Sequence, residues 1–317
     1  MAEAPLEQTI PPELAGHRLD RALAQMFPDY SRSRLADWLK KGRVTVDGGP
    51  RRPRDTVIGG EAVVVRPEAE PAVTSRPEAI ALAVVFEDEH LLVIDKPAGL
   101  VVHPGAGNTH GTLMNGLLHH APGLESLPRA GIVHRLDKDT SGLLLVGKTL
   151  TAHTALTRAL AAREIDRHYE AVCVGRLTAG GTIDAPIRRH PVDRKRMSVQ
   201  AEGKPAVTHY RVLERFAAHT HVAVKLETGR THQIRVHFAH RRHPLVGDPV
   251  YGGRLALPAG TDDELAATLR AFRRQALAAT RLAFAHPVSG AALEFAAALP
   301  ADFRALLDAL ARHAAGS

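Results

Sequence analysis

The feature that most constrains this chain is its supply of short apolar runs that come in pairs across turn residues. Leu82–Phe86 and Leu91–Ile94 flank Glu87-Asp88-Glu89-His90, and His209–Phe216 is followed closely by His219–Glu227. Leu282–Phe284 and Ala292–Phe295 flank His286-Pro287-Val288-Ser289-Gly290. Apolar runs of this length, bounded by turn residues, predict strands joined as hairpins. Helical patterns intervene irregularly, at Thr112–His120, Thr151–Leu160, Asp262–Ala276 and Ala301–His313, and no internal repeat is present. The expected architecture over residues 80–317 is therefore α+β: a large mixed, mostly antiparallel sheet with flanking helices.

A smaller module precedes it, over residues 16–66. Leu19, Leu23, Met26 and Phe27 recur at helical spacing until Pro28. Ser31 or Ser33 can cap a second helix, Arg34–Lys40, which stops at Gly42. Val44–Val46 and Ala62–Val65 read as short strands. Residues 1–15 are expected to be a flexible terminus. The segment 67–79, with Pro67, Pro71 and Pro77, is expected to be a stiff linker.

Charge is concentrated in that module. The chain carries 41 Lys plus Arg against 34 Asp plus Glu, a formal net charge of +7. Residues 18–66 hold 11 of the basic and 6 of the acidic residues, most of the excess. Arg32, Arg34, Lys40, Lys41 and Arg43 would cluster around the second helix and the turn after it. A charge run is usually a solvated face; here it also suits the phosphates of a nucleic acid. The one cysteine, Cys173, allows no internal disulfide, which fits a reducing compartment. No apolar stretch is long enough for a membrane span, and Met1–Glu7 lacks a signal-peptide layout. A cytoplasmic protein without membrane contact is expected, and a monomer, since no long apolar seam stands out.

The most unusual stretch is His134-Arg135-Leu136-Asp137-Lys138-Asp139-Thr140-Ser141-Gly142, which turns into the apolar strand Leu143–Val146. Two carboxylates beside three basic side chains at the mouth of a core strand are costly unless paired, and such groupings concentrate at functional sites. A charged turn is the plainer alternative. Three other stretches share this polar-beside-apolar character: the loop Asp95-Lys96-Pro97-Ala98-Gly99, the run Arg163–Tyr169, and Leu226–His240. In the last, Ile234, Val236 and Phe238 alternate with polar residues, so period does not separate strand from helix. Arg188, Arg189, Arg194, Lys195 and Arg196 fall in one helix-breaking loop suited to phosphates or to solvent. His232, His237, His240 and His243 invite a metal reading, but no cysteine or H-E-x-x-H pattern accompanies them. The Asp137-x-Asp139 spacing invites a magnesium-dependent phosphotransfer reading, but His134 and Arg135 stand where an apolar strand should lead in.

Together, His134–Leu143, Arg163–Tyr169 and Leu226–His237 resemble the three signature segments of RNA pseudouridine synthases of the RluA family, with Asp95–Gly99 and Gly247–Gly253 matching as well. Residues 18–48 resemble the S4 RNA-binding module. The resemblance implies isomerisation of uridine to pseudouridine without metal or cofactor. It implies Asp137 as the catalytic aspartate, Arg230 as its paired arginine, and Tyr169 as the ring that packs on the target base. It implies Arg135 as the side chain that fills the gap left by a flipped nucleotide. Lys96 and His134, inside matched segments, are expected to contact substrate together with the basic residues above. Phe27–Arg34 next to an S4 module is most similar to family members that act on the large ribosomal subunit. That implies a 23S RNA stem-loop, free or in pre-50S particles, as the partner. A non-catalytic RNA-binding factor is the rival reading.

Overall fold

The computed structural model describes residues 5–27, 30, 32–67, 76–105, 108–193 and 196–316, without the side chains of Ser33 and Arg34. The chain divides into two compact units, Met1–Thr74 and Ser75–Ser317.

In the first unit, helices α1 (Leu19–Met26) and α2 (Arg32–Lys40) pack on a three-stranded sheet. Its strands β1 (Leu6–Thr9), β2 (Val44–Val46) and β3 (Ala62–Val65) stand in the order β1-β3-β2. Leu19, Ala22 and Leu23, three and four residues apart, share one face of α1. They close on Leu35, Trp38, Leu39, Val44, Val63 and Val65 in one core. The flexible terminus expected over 1–15 is corrected for residues 5–15. β1 pairs antiparallel with β3, and Ile10 and Leu14 are buried in the same core. An edge strand gains a full hydrogen-bond ladder there, which a one-pass reading of Leu6-Glu7-Gln8-Thr9 does not reveal. Most of the expected linker, residues 68–75, lies outside the described residues.

The second unit is a nine-stranded sheet. Its strands are β4 (Val84–Glu87), β5 (Leu91–Lys96), β6 (Ser141–Gly147), β7 (Asp166–Val174), β8 (Gly181–Asp184), β11 (Val207–Arg215), β12 (His219–Leu226), β13 (Leu277–Ala285) and β14 (Ala292–Ala296). The order is β4-β5-β6-β13-β7-β12-β11-β8, with β14 added on β13. Every register is antiparallel except β6 with β13, which run parallel and pair only at Ser141–Ala278 and Gly142–Ala279. A separate ribbon, β9 (Ile187–Arg189) with β10 (Met197–Val199), carries the basic loop.

Five helices flank the sheet: α3 (Leu113–His120), α4 (Leu150–Ala161), α5 (Gln233–His240), α6 (Asp263–Ala271) and α7 (Ala301–Gly316). Thr112, Thr149 and Asp262 cap α3, α4 and α6 by accepting backbone N–H groups, the role such side chains serve at helix starts. One sheet face packs on α3 and α5 through Leu92, Leu144, Tyr169, Ala171, Val224, Ile234 and Phe238. Parts of the other face are covered by α4 and by α6 with α7. The ambiguity over Ile234–Phe238 resolves as helix, and α5 lies against the face that holds Tyr169. No described helix is long and apolar enough to cross a membrane.

Candidate active site

The Asp137 turn hangs between two central strands. Thr140 N–H bonds Asp137 O at 3.1 Å, so the backbone closes the turn. Gln275, just before β13, donates to Thr140 Oγ1 at 3.0 Å, and Arg274 reaches Asp139 O at 3.3 Å. Directly after the turn, Gly142 takes φ +110°, and a Cβ there would lie 2.1 Å from Ala279 O. Only glycine lets β6 approach β13 so closely.

On the far side of the turn stands Lys96, fully buried. Its ammonium donates to Pro97 O (2.8 Å), Leu100 O (3.0 Å) and Lys138 O (2.9 Å), which uses all three protons. Gly99 N–H bonds the same Lys138 carbonyl at 2.9 Å. Burial pulls the Lys96 pKa down to about 8, against the opposing Asp139 and Asp137 charges. The expectation that Lys96 contacts RNA is therefore corrected: it ties the Asp95–Gly99 loop to the Asp137 turn. His134 is corrected likewise. Its Nε2 accepts Leu145 N–H at 3.0 Å, its Nδ1 is buried, and burial with the Arg167 charge pushes its pKa down to about 3. A neutral ring with both nitrogens turned inward fixes the turn to β6.

Asp137 itself is 15% exposed at its side chain, and its partner is Arg235 at 3.1 Å. Arg230, expected in that place, is exposed on the turn before α5 and donates instead to Pro205 O at 3.1 Å. The reason is helical phase. Gln233 starts α5 by accepting Thr228 Oγ1–H and Arg230 N–H on its amide oxygen, and Arg235 then projects from the first turn toward Asp137. Arg235 is gripped from behind by Asp248, whose side chain is 0% exposed, through Nε at 2.7 Å and Nη2 at 2.8 Å. That fork leaves Nη1 for Asp137, the planar bidentate geometry that arginine alone supplies. Burial would raise the Asp248 carboxyl, but the Arg235 fork and the N–H groups of Val250 and Tyr251 outweigh it and hold it below the ordinary range.

Tyr251 completes this arrangement. Its ring lies 5.1 Å under the Arg235 guanidinium and 5.3 Å from that of Arg196. Its hydroxyl accepts Met197 N–H at 2.8 Å and stands 2.8 Å from His232 Nδ1. Burial lowers the His232 pKa, which favours the neutral ring, and its Nε2 stands 3.9 Å from Asp137 Oδ1. The sequence offers His232 only as a metal candidate and does not single out Tyr251, though both fall in matched segments. His237 is taken up elsewhere, with Thr208 Oγ1 and Ala185 O at 2.9 Å each, and His243 bonds Val174 O, so these histidines are not gathered around one point.

Tyr169 lies on β7, 5% exposed, in the same cluster as Leu136 and Ile234. Burial pushes its phenol up, Arg167 pulls it down, and Asp137 adds to the rise, so the hydroxyl keeps its proton at neutral pH. Arg135 is exposed beside Asp137, and its charge reaches His232 and His103. In the ribbon, Arg188 pairs with Glu202 at 2.7 Å and Arg189 is exposed; Arg194 and Lys195 lie outside the described residues. In the first unit, Arg32 bonds the buried Asp20 at 3.0 Å and Lys41 pairs with Asp37 at 2.8 Å. Lys40 is exposed, Arg43 is half-buried, and the Arg34 side chain lies outside the described residues.

A carboxylate held by a doubly anchored arginine, facing a buried tyrosine, coincides with matches to known proteins. Residues 90–240 match the family model described as RNA pseudouridylate synthase, and residues 17–63 match the S4 domain. The chain belongs to the RNA pseudouridine synthase family, enzymes that isomerise uridine to pseudouridine. Among its relatives, a protein of Xanthomonas campestris is 55% identical over 98% of this chain and 93% of its own length. One of Pseudomonas aeruginosa is 58% identical over 95% and 94%, and one of Escherichia coli K12 is 53% identical over 96% and 94%. All three carry the name ribosomal large subunit pseudouridine synthase D. Among solved structures, human RNA pseudouridylate synthase domain containing 4 matches with a TM-score of 0.58 at 26% identity, covering 72% of this chain and 93% of that one.

Proposed function

We propose that this chain converts uridines to pseudouridine in large-subunit ribosomal RNA, acting as a monomer on a stem-loop that is free or within pre-50S particles. The observation that carries the reading is the Asp248–Arg235–Asp137 chain, which presents one carboxylate at the mouth of the site. The names of the full-length relatives support the choice of RNA. In the reaction the N1–C1′ bond of the uridine breaks, the base turns, and C5 bonds C1′. C5 releases its proton and N1 regains one, so no oxidant or cofactor enters the balance. Asp137 is the catalytic carboxylate, by attack on the sugar or by removal of a sugar proton. Arg235 orients it, and Tyr169 packs on the base and handles the closing proton transfer. Arg135 fills the space left in the stack.

The test is tritium release from uridine-5-labelled large-subunit RNA. Asp137→Asn is expected to cut release by a factor on the order of 10⁴, as for loss of a central catalytic group. Undiminished release would overturn the assignment of Asp137. Release from transfer RNA alone would move the substrate.

The S4 unit supplies the second expectation. Lys40 and Lys41 are exposed, and the exposed i,i+4 pair of Lys41 with Asp37 is weak enough for both lysines to meet phosphates. Lys40→Gln with Lys41→Gln should flatten the salt dependence of RNA binding by a slope of about 2. An unchanged slope would remove this face from the contact.

A further inference from the structure

Arg167 is a buried charge near the site without a counter-charge among the described residues. It lies on β7 two residues before Tyr169, so both side chains leave the strand on the same face. It is 7% exposed, and among the described residues it has neither a hydrogen bond nor an ion pair. Its Nε is buried with no partner at all. A guanidinium removed from water without a counter-charge is among the costlier arrangements a protein can keep. The neighbouring acids are committed elsewhere: Asp137 to Arg235, and Glu227 to Arg163 and His209. The imidazole its charge reaches, His134, is neutral.

The backbone opposite has made room for it. A Cβ at Gly229 would come within 2.7 Å of Arg167 Nη1, so the guanidinium tip rests against Gly229 and would have to move for any larger residue there. Gly229 is itself exposed, which places that tip at the rim of the site rather than in the closed core. The cation thus lies against Gly229 with an outlet toward solvent and, among the described residues, no anion paired with it.

We propose that Arg167 is a phosphate-binding residue that takes a phosphodiester flanking the flipped uridine. The substrate supplies the missing counter-charge within one nucleotide's length of the base that packs on Tyr169. The planar Nη1 and Nη2 edge fits two phosphate oxygens. The proposal rests on the RNA-isomerising reading above for the identity of the anion, and it adds that the flipped nucleotide is gripped by its backbone as well as its base.

The experiment uses the full chain, an RNA stem-loop substrate and its variants with single neutral methylphosphonate linkages around the target. Arg167→Gln should raise KM about tenfold, leave kcat within a few-fold, and reduce the salt slope of RNA binding by about 1. One flanking methylphosphonate should weaken the wild type comparably and cost Arg167→Gln nothing further. Arg167→Lys should restore the salt slope. Because the glutamine removes an uncompensated buried charge, its thermal midpoint should not fall, which separates the effect from misfolding. A salt slope that Arg167→Gln leaves unchanged, or a methylphosphonate penalty equal in both proteins at every linkage, would overturn the proposal. Binding is read apart from turnover. A wild type that binds with the expected slope but releases no tritium would therefore strike the reaction and not the phosphate contact.

Discussion

Replacing Arg235 with methionine is expected to destabilise the protein by about 3–5 kcal/mol and to remove nearly all tritium release. Two carboxylates depend on this one guanidinium. Asp248, with a fully buried side chain, would lose both arms of its fork and keep only the N–H groups of Val250 and Tyr251. Asp137 would lose the 3.1 Å bond that orients it. Arg230→Ala should leave both quantities nearly unchanged, since Arg230 is exposed and holds only the Pro205 carbonyl. Urea unfolding and tritium release on the two variants check the contrast. If Arg230→Ala were the inactive one, the pairing described above would be wrong for the working enzyme.

Gly142→Ala should cost about 3 kcal/mol or more, and activity should fall with it. The added methyl would meet Ala279 O at 2.1 Å and Ala279 N at 2.6 Å, both backbone atoms of a central strand. Neither can swing aside as a side chain could, so overpacking adds to the strain of φ +110°. Gly253→Ala is the control. Its φ is also positive, at +69°, but a Cβ there meets nothing within 4 Å, and only the backbone strain of about 1 kcal/mol should appear. Equal midpoints for the two variants in denaturant would show that β6 and β13 separate easily.

The strands and most helices were legible because each rests on local pattern, whereas Asp137 and Tyr169 came forward only through the resemblance of their segments to family signatures. A buried apolar run, a capping threonine or a polar turn ahead of a core strand announces itself over a few residues. What failed to show rests on geometry between distant segments. Arg230 and Arg235 lie in one matched segment, and only the start of α5 at Gln233 decides which faces Asp137. Lys96 and His134 look like surface charges until the backbone carbonyls and N–H that engage them are in place. Asp248 and Tyr251 sit in a turn-rich loop whose partners come from α5 and from β10. Arg167 was hidden in a mostly polar run. The available signal was parity, since it alternates in step with Tyr169, Ala171 and Cys173, all buried.

The lone parallel contact in the sheet also sets an order of events. Ser141 and Gly142 pair with residues 137 positions later, so the Asp137 turn cannot be braced until β13 has been made. At about 5–20 residues per second that is a wait of roughly 7–27 s after the turn itself leaves the peptidyl transferase centre. The first unit, with its own core, is complete long before. A nascent chain whose first unit binds RNA, as proposed above, would hold it well before it could rearrange a uridine. The turn is completed by the arrival of a strand that carries none of the reacting groups.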